Sequence, residues 1–158
     1  DVKVYLHIVG EEQIPGVRLS LQNLIQKYRL QDTVILHGFK IGADLDHLFN
    51  QSHIAIGVLG LHRKGLKDGS PLKEQEYCAR GLPFINAFEN IAFDSDYKYK
   101  LTFPGDETPI DIEKAITFYN HIIQDKDYKV RIRQYAEYQL TWERSFEPVF
   151  NWIKKNVQ

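Results

Sequence analysis

An α/β fold, with a parallel sheet covered by helices on both faces, is what this sequence predicts, and three observations predict it. Short apolar runs of strand length alternate with amphipathic helical stretches. Those runs are close to continuously apolar, as strands buried on both faces are. Glycine and proline break the chain between them, at Gly10, Pro15-Gly16, Gly38, Gly81 and Pro83.

Val2 to Val9 is the first strand, ended by Gly10-Glu11-Glu12. After Pro15-Gly16, the residues Val17, Leu21, Leu24, Ile25 and Tyr28 recur at helical spacing, giving an amphipathic helix to about Leu30. Thr33 to Phe39 is a second buried strand, and Ala43 to Gln51 a short helix with Leu45, Leu48 and Phe49 inward. His53 to Leu59 is the third strand. A basic, glycine-broken loop from Leu61 to Gly69 leads to a helix with Ser70 as its cap and Pro71 at its first position, where a missing N–H costs nothing. That helix stops at Gly81. Pro83 then opens a fourth strand through Phe84, Ile85, Asn86 and Ala87. Phe88 to Tyr99 mixes aromatics and acids without a clean period and reads as irregular, with one helical turn. Lys100 to Phe103 is a fifth strand, closed by Pro104-Gly105-Asp106. Ile112, Ala115, Ile116, Tyr119 and Ile123 mark one helix and Asp127 to Leu140 another; a last helix, residues 141–158, is striped by Phe146, Val149, Phe150 and Ile153.

The 158 residues read as one domain, long enough to bury a core. Hydrophobic and charged contents of 43% and 26% place the chain among ordinary soluble proteins. A net charge of −1 gives no global pull toward nucleic acid or membrane. The single cysteine, Cys78, excludes an internal disulfide framework and fits a reducing compartment. No signal peptide stands out, and no apolar run nears the roughly 20 residues that a membrane span needs. The chain starts inside a strand pattern without an initiator Met, so a fragment of a longer protein is expected.

The chemistry concentrates between Asp68 and Ile85. The helix start there offers unpaired backbone N–H groups and the positive end of the helix dipole, a ready anion site. Lys73 lies one turn inside it, and Glu76 one turn further along. Gly69, Ser70 and Leu72 have N–H groups to lend to the same site, whereas Pro71 has none. A cation beside backbone donors makes a diphosphate clamp. In open parallel sheets, ligands bind at the carboxyl ends of the strands.

Asp68 and Glu76 are separated by seven residues, and Glu76 opens a Glu-x4-Gly-x-Pro run completed by Gly81 and Pro83. This resembles the E-x7-E motif of group 1 glycosyltransferases, the retaining enzymes of carbohydrate-enzyme family four, which have two Rossmann-like domains in the GT-B fold. Ser70-Pro71-Leu72-Lys73 is similar to a common variant of that family's donor-binding helix start. The first acidic position is Asp68 here rather than Glu, one methylene shorter. The resemblance implies a Rossmann-like parallel sheet flanked by helices, the donor-binding half of such an enzyme. It implies that Glu76 accepts hydrogen bonds from the donor's ribose hydroxyls and that Lys73 stabilises charge on the departing nucleoside diphosphate. Asp68 would contact the donor sugar, and the turn Gly38-Phe39-Lys40 would hold the nucleotide base. The family's further strand and helix, with an Arg and a Lys for the diphosphate, and its acceptor-binding domain are expected ahead of Asp1. The implied partners are a nucleoside diphosphate sugar and that acceptor domain of the same chain, with no nucleic acid. No cofactor is implied, and no metal if Lys73 and the N–H groups carry the charge. A cytoplasmic location follows, any contact with the inner membrane surface being made by the missing domain.

Each of these residues also has a plain structural reading. Glu76 also has the plain reading of a solvated helix glutamate and Lys73 that of a surface lysine, the functional reading being favoured for both, while Asp68 reads about equally as an acid favoured before a helix start. Gly38-Phe39-Lys40 reads as a strand-ending turn. In the basic loop His62 to Lys67, Arg63 and Lys64 are secondary phosphate candidates, and four cationic side chains in a neutral domain argue little for RNA or an anionic membrane. Asp44-Leu45-Asp46 and Asp94-Ser95-Asp96 spell a metal-binding Asp-x-Asp, but the first sits at a helix start and the second has no companion ligand nearby in sequence. The six histidines fall singly. Asn50-Gln51-Ser52 is a glycosylation sequon by spelling only. Cys78 reads as core, and Trp142, Phe146, Phe150 and Trp152 as core or domain-interface residues. No G-x-G-x-x-G is present, against a dinucleotide-binding domain. The alternatives are a non-catalytic nucleotide-sugar-binding or scaffold module, and a nucleotide-sugar epimerase of the same two-domain architecture.

Overall fold

The computed structural model describes residues 2–157. The chain is α/β, with small parallel sheets and flanking helices, and divides into two compact units, Asp1–Gln51 and Ser52–Gln158.

The first unit runs β1 (Leu6–Val9), α1 (Val17–Lys27), β2 (Val34–Gly38) and α2 (Gly42–Gln51). β1 and β2 pair in parallel, Leu6 opposite Val34 and Val9 opposite Gly38. The first strand is shorter than the apolar run from Val2, because the ladder begins only where the Leu6 N–H reaches the Thr33 carbonyl. Gly16 starts α1 from a left-handed conformation, φ 89°, which a residue with a Cβ adopts only at a cost.

The second unit contains β3 (Ala55–Ile56), a 3-10 turn (Leu61–Lys64), β4 (Asp68–Gly69), α3 (Leu72–Ala79), β5 (Phe84–Asn86), β6 (Glu89–Asn90), β7 (Lys100–Thr102), α4 (Ile112–Ile122), α5 (Tyr128–Gln139) and α6 (Trp142–Asn156). β5 is the centre of a parallel sheet of order β3-β5-β7, and β4 and β6 form a separate two-residue parallel ladder. Alternate residues of β5 enter different clusters, as the two-residue period of a strand requires. Phe84 joins the aromatic cluster of Phe93 and Tyr97, beside Cys78 of α3, whose thiol also meets the Ile132 carbonyl of α5. Ile85 joins Ala87, Phe103 and Ala115 of α4. The sheet is thus packed on both faces by helices.

Capping explains the helix boundaries. Asp111 accepts a hydrogen bond from the Lys114 N–H at 3.0 Å and starts α4; Thr141 accepts one from the Arg144 N–H at 3.3 Å and starts α6. Gly81 ends α3 at φ 76°, where a Cβ would come within 2.9 Å of the Lys129 carbonyl oxygen, so the position both turns the chain and admits α5. α6 corrects the core reading of its aromatics: none of its residues is buried, and Trp142 and Trp152 are 70% and 63% exposed. Among the described residues, no helix is long and apolar enough to cross a membrane.

Candidate functional site

The start of α3 differs from the sequence expectation by one residue. Pro71 itself is the N-cap, with ψ 128°, and no side chain caps the helix. Ser70 is instead engaged sideways, its hydroxyl accepting a hydrogen bond from the Gln75 amide at 2.8 Å. Lys73, in the first turn, reaches the carboxyl end of β3. Its Nζ donates to the carbonyls of Gly57 at 2.8 Å and Ile56 at 3.3 Å, and the Tyr77 hydroxyl donates to the same Ile56 carbonyl at 3.1 Å. Two of the three ammonium donors are thereby used. Burial pulls the Lys73 pKa below its ordinary value, against the opposing attraction of Glu74.

Glu74 is the group that sequence reasoning missed. It is fully buried, at 0% exposure, and its carboxylate collects three donors. The Val58 N–H reaches Oε1 at 3.0 Å, and the side-chain amides of Asn86 and Asn90 reach Oε2 at 3.1 and 2.7 Å. One carboxylate therefore ties α3 to the end of β3, to β5 and to β6. Its spacing of four from Cys78 was the available signal, since that places both on one helix face.

Glu76 points elsewhere on α3. It is half-exposed and pairs with Arg80 at 3.0 Å, one turn on. It lines a groove of about 420 Å3 with Arg133 and Glu137 of α5. Lys73 and Glu76, three residues apart, occupy neighbouring positions on the helix surface. Asp68 and Gly69 are not loop residues: they form β4, opposite Glu89 and Asn90, with Asp68 exposed and Gly69 half-buried. Leu72 is exposed. Gly38, Phe39 and Lys40 belong to the first unit, where Gly38 has φ 68°, Phe39 is exposed and Lys40 lies 3.9 Å from Asp44.

Arg63 is committed to Glu107. Its Nε and Nη2 donate to the two carboxylate oxygens at 2.7 and 2.6 Å, and the His62 Nε2 joins Oε1 at 2.9 Å. This clasp fastens the basic loop to the segment after β7, whereas Lys64 is exposed. The Arg63 guanidinium, then His62, hold the Glu107 carboxyl down at about 2, below its ordinary 4.5. A depressed carboxyl contributes stability that is present above its unfolded pKa and is lost as pH falls through the folded one. Chemical denaturation between about pH 5 and 2 should therefore show a steeper acid loss for the native sequence than for Glu107→Gln. Identical slopes would mean that the clasp does not form in solution.

Among the described residues, no group of three or more His, Cys, Asp or Glu is arranged to hold a metal ion. Asp94 of the second Asp-x-Asp accepts a hydrogen bond from the Tyr135 hydroxyl at 2.9 Å, which gives it a packing role. Cys78 is buried, its thiol pushed up to about 11 by desolvation. Compared with models of known protein families and with curated proteins, the chain matches none.

Proposed function

We propose that this chain is the donor-binding domain of a retaining GT-B glycosyltransferase, which takes a nucleoside diphosphate sugar and works with an acceptor domain on polysaccharide or glycoconjugate synthesis in the cytoplasm. The observation that carries the reading is Lys73. Its ammonium lies at the carboxyl end of a parallel strand, in the first turn of a helix without a side-chain cap, inside the Asp68–Pro83 run that resembles the family motif. Phosphate oxygens would accept from its remaining donor and from the backbone N–H groups at the helix start. Charge developing on the leaving diphosphate is where fixed donors gain most, and transfer on this scheme runs without a metal or other cofactor. Glu76 would give the ribose hydroxyls the oxygen that Arg80 leaves unused. Asp68 would meet the sugar, Gly69, Ser70 and Leu72 would lend N–H groups, and Arg63 and Lys64 would be accessory contacts.

Calorimetric titration of the chain with UDP, GDP and ADP tests this directly. One diphosphate should bind saturably, and Lys73→Ala should weaken it by about 10–100-fold, the loss of a charge-assisted contact. Because burial lowers the Lys73 pKa, affinity should also fall as pH rises through that depressed value, and the fall should vanish in Lys73→Ala. No diphosphate binding, or equal binding by the variant, refutes the reading. The Glu76–Arg80 ion pair favours a second reading, a nucleotide-sugar-binding module without turnover. Transfer by the chain joined to an acceptor domain, abolished by Glu76→Ala, would exclude it.

A further inference from the structure

α6 carries an apolar stripe that is open to solvent. Trp142, Phe146, Val149, Phe150 and Ile153 recur at spacings of three and four, so they share one side of the helix, and all five are exposed. The Phe146 ring sits between those of Trp142 and Phe150, at 5.8 and 6.3 Å between centres, which makes the stripe continuous. The helix has little else to hold it. Its 15 residues are near the length at which an isolated helix is marginal in water, and Pro148 inside it has no N–H to give to the preceding turn. Packing of the apolar side is what ordinarily stabilises such a helix.

Two features of the stripe state what fits it. The first is its order, which is the same from either end. Trp142, Phe146 and Val149 are spaced forwards as Val157, Ile153 and Phe150 are spaced backwards. A second α6 laid antiparallel, about a two-fold axis midway between Val149 and Phe150, therefore sets Phe146 against Ile153 and Val149 against Phe150. Trp142 then comes near Val157, which follows the helix end. The second feature is charge. At about 100° per residue, Glu143, Glu147 and Lys154 fall along one border of the stripe, and the uncharged Ser145, Trp152 and Asn156 along the other. The two-fold axis puts like borders side by side. With a rise of 1.5 Å per residue, Lys154 of one copy comes level with a point between Glu143 and Glu147 of the other, about 3 Å along the axis from each. One Glu147 oxygen accepts from Arg144 at 2.7 Å, which leaves the other for that lysine. A parallel pair would instead level Glu143 with Glu143 and Lys154 with Lys154, which repels. An anionic lipid surface fits worse, because helices that lie in that interface border their apolar side with Lys and Arg rather than with two acids.

We propose that α6 is a self-association surface and that its partner is a second copy of this chain, paired antiparallel through α6. This inference does not rest on the glycosyl-transfer reading. One helix pair is a small interface, so a dimer that dissociates in the micromolar range is expected, and sedimentation equilibrium at low salt from about 1 to 300 μM measures it. Phe150→Asp should leave a monomer, because it puts a charge in the middle of the seam. Lys154→Glu, and Glu143→Lys combined with Glu147→Lys, should each weaken the dimer by about ten-fold, since every opposed pair becomes a like pair. An equal mixture of those two variants should regain the native affinity. The substituted residues are exposed, so the urea midpoint of the dilute monomer should stay native in each. A native chain that is monomeric throughout, a dimer indifferent to the charge variants, or a mixture that dimerises no better than its components overturns the proposal. So does a monomer that binds phosphatidylglycerol vesicles and releases them on Phe150→Asp, which would give the stripe to a lipid surface.

Discussion

Replacing Glu74 by alanine should cost the second unit about 4 kcal/mol, a loss reserved for buried polar networks and large core deletions. Three donors lose their acceptor at once, the Val58 N–H and the amides of Asn86 and Asn90, and the buried site offers them no water in exchange. Asn86 is already strained in this sense, because donating to Glu74 leaves its Oδ1 without a partner. Glu74→Gln should cost about half as much, since its amide keeps one acceptor oxygen but turns an NH2 toward donors. Gly57 supplies an internal check. A Cβ there would stand 2.8 Å from the Glu74 Cδ and 3.0 Å from the Ile85 carbonyl oxygen. Gly57→Ala should therefore destabilise the native chain, and do so less in the Glu74→Ala background, where the carboxylate, including its nearest atom Oε1, is gone and only the Ile85 carbonyl obstructs. Urea denaturation of the five proteins, the native chain, three single variants and the double variant, reads all of this. A Glu74→Ala loss below about 1 kcal/mol, the size of a single ordinary hydrogen bond, would show that the network is not formed.

Phe84→Ala should cost about 3–5 kcal/mol, the range for deleting a buried aromatic ring. Phe84 is fully buried on the central strand, its ring 5.2 Å from that of Phe93 and 6.4 Å from that of Tyr97. Tyr97 continues to Tyr135 of α5, with ring centres 4.4 Å apart, so the cavity would open under both a strand and a helix. Leu101, half-buried on the edge strand β7, is the comparison: Leu101→Ala should cost distinctly less in the same urea experiment. Equal losses at the two positions would place the core elsewhere.

The sequence displayed most of the framework. The amphipathic stripe foretold α4 and the helical run from Asp127 foretold α5, each to within a residue or two, and the strand-length runs foretold β2, β5 and β7. What stayed hidden was short or nonlocal. His53 to Leu59 reads as a seven-residue strand, yet β3 is only Ala55–Ile56, and beyond it the Val58 N–H goes to the Glu74 carboxylate. The β4–β6 ladder pairs two residues with two others across 21 positions, too short to show any period. At the candidate site, the motif drew attention to Glu76, and its position beside Lys73 on α3 follows from helical spacing alone. The face of Glu74 was hinted at only by its spacing from Cys78, and its partners were hidden because Asn86 and Asn90 arrive from later strands. The same limit applies to Arg63, whose partner Glu107 stands 44 residues away. α6 shows the opposite error: its apolar stripe is real, but a stripe states what a helix can bury and not what it has buried.

The lone thiol has a practical consequence. Cys78 has no exposed surface, its Sγ lies 3.2 Å from the Ile132 carbonyl oxygen, and its raised pKa keeps it protonated at neutral pH. An alkylating reagent can reach it only when α3 and α5 separate. The chain thus contains its own clock for core opening, with no competing cysteine, and the rate at which the native protein takes up reagent measures how often that layer comes apart.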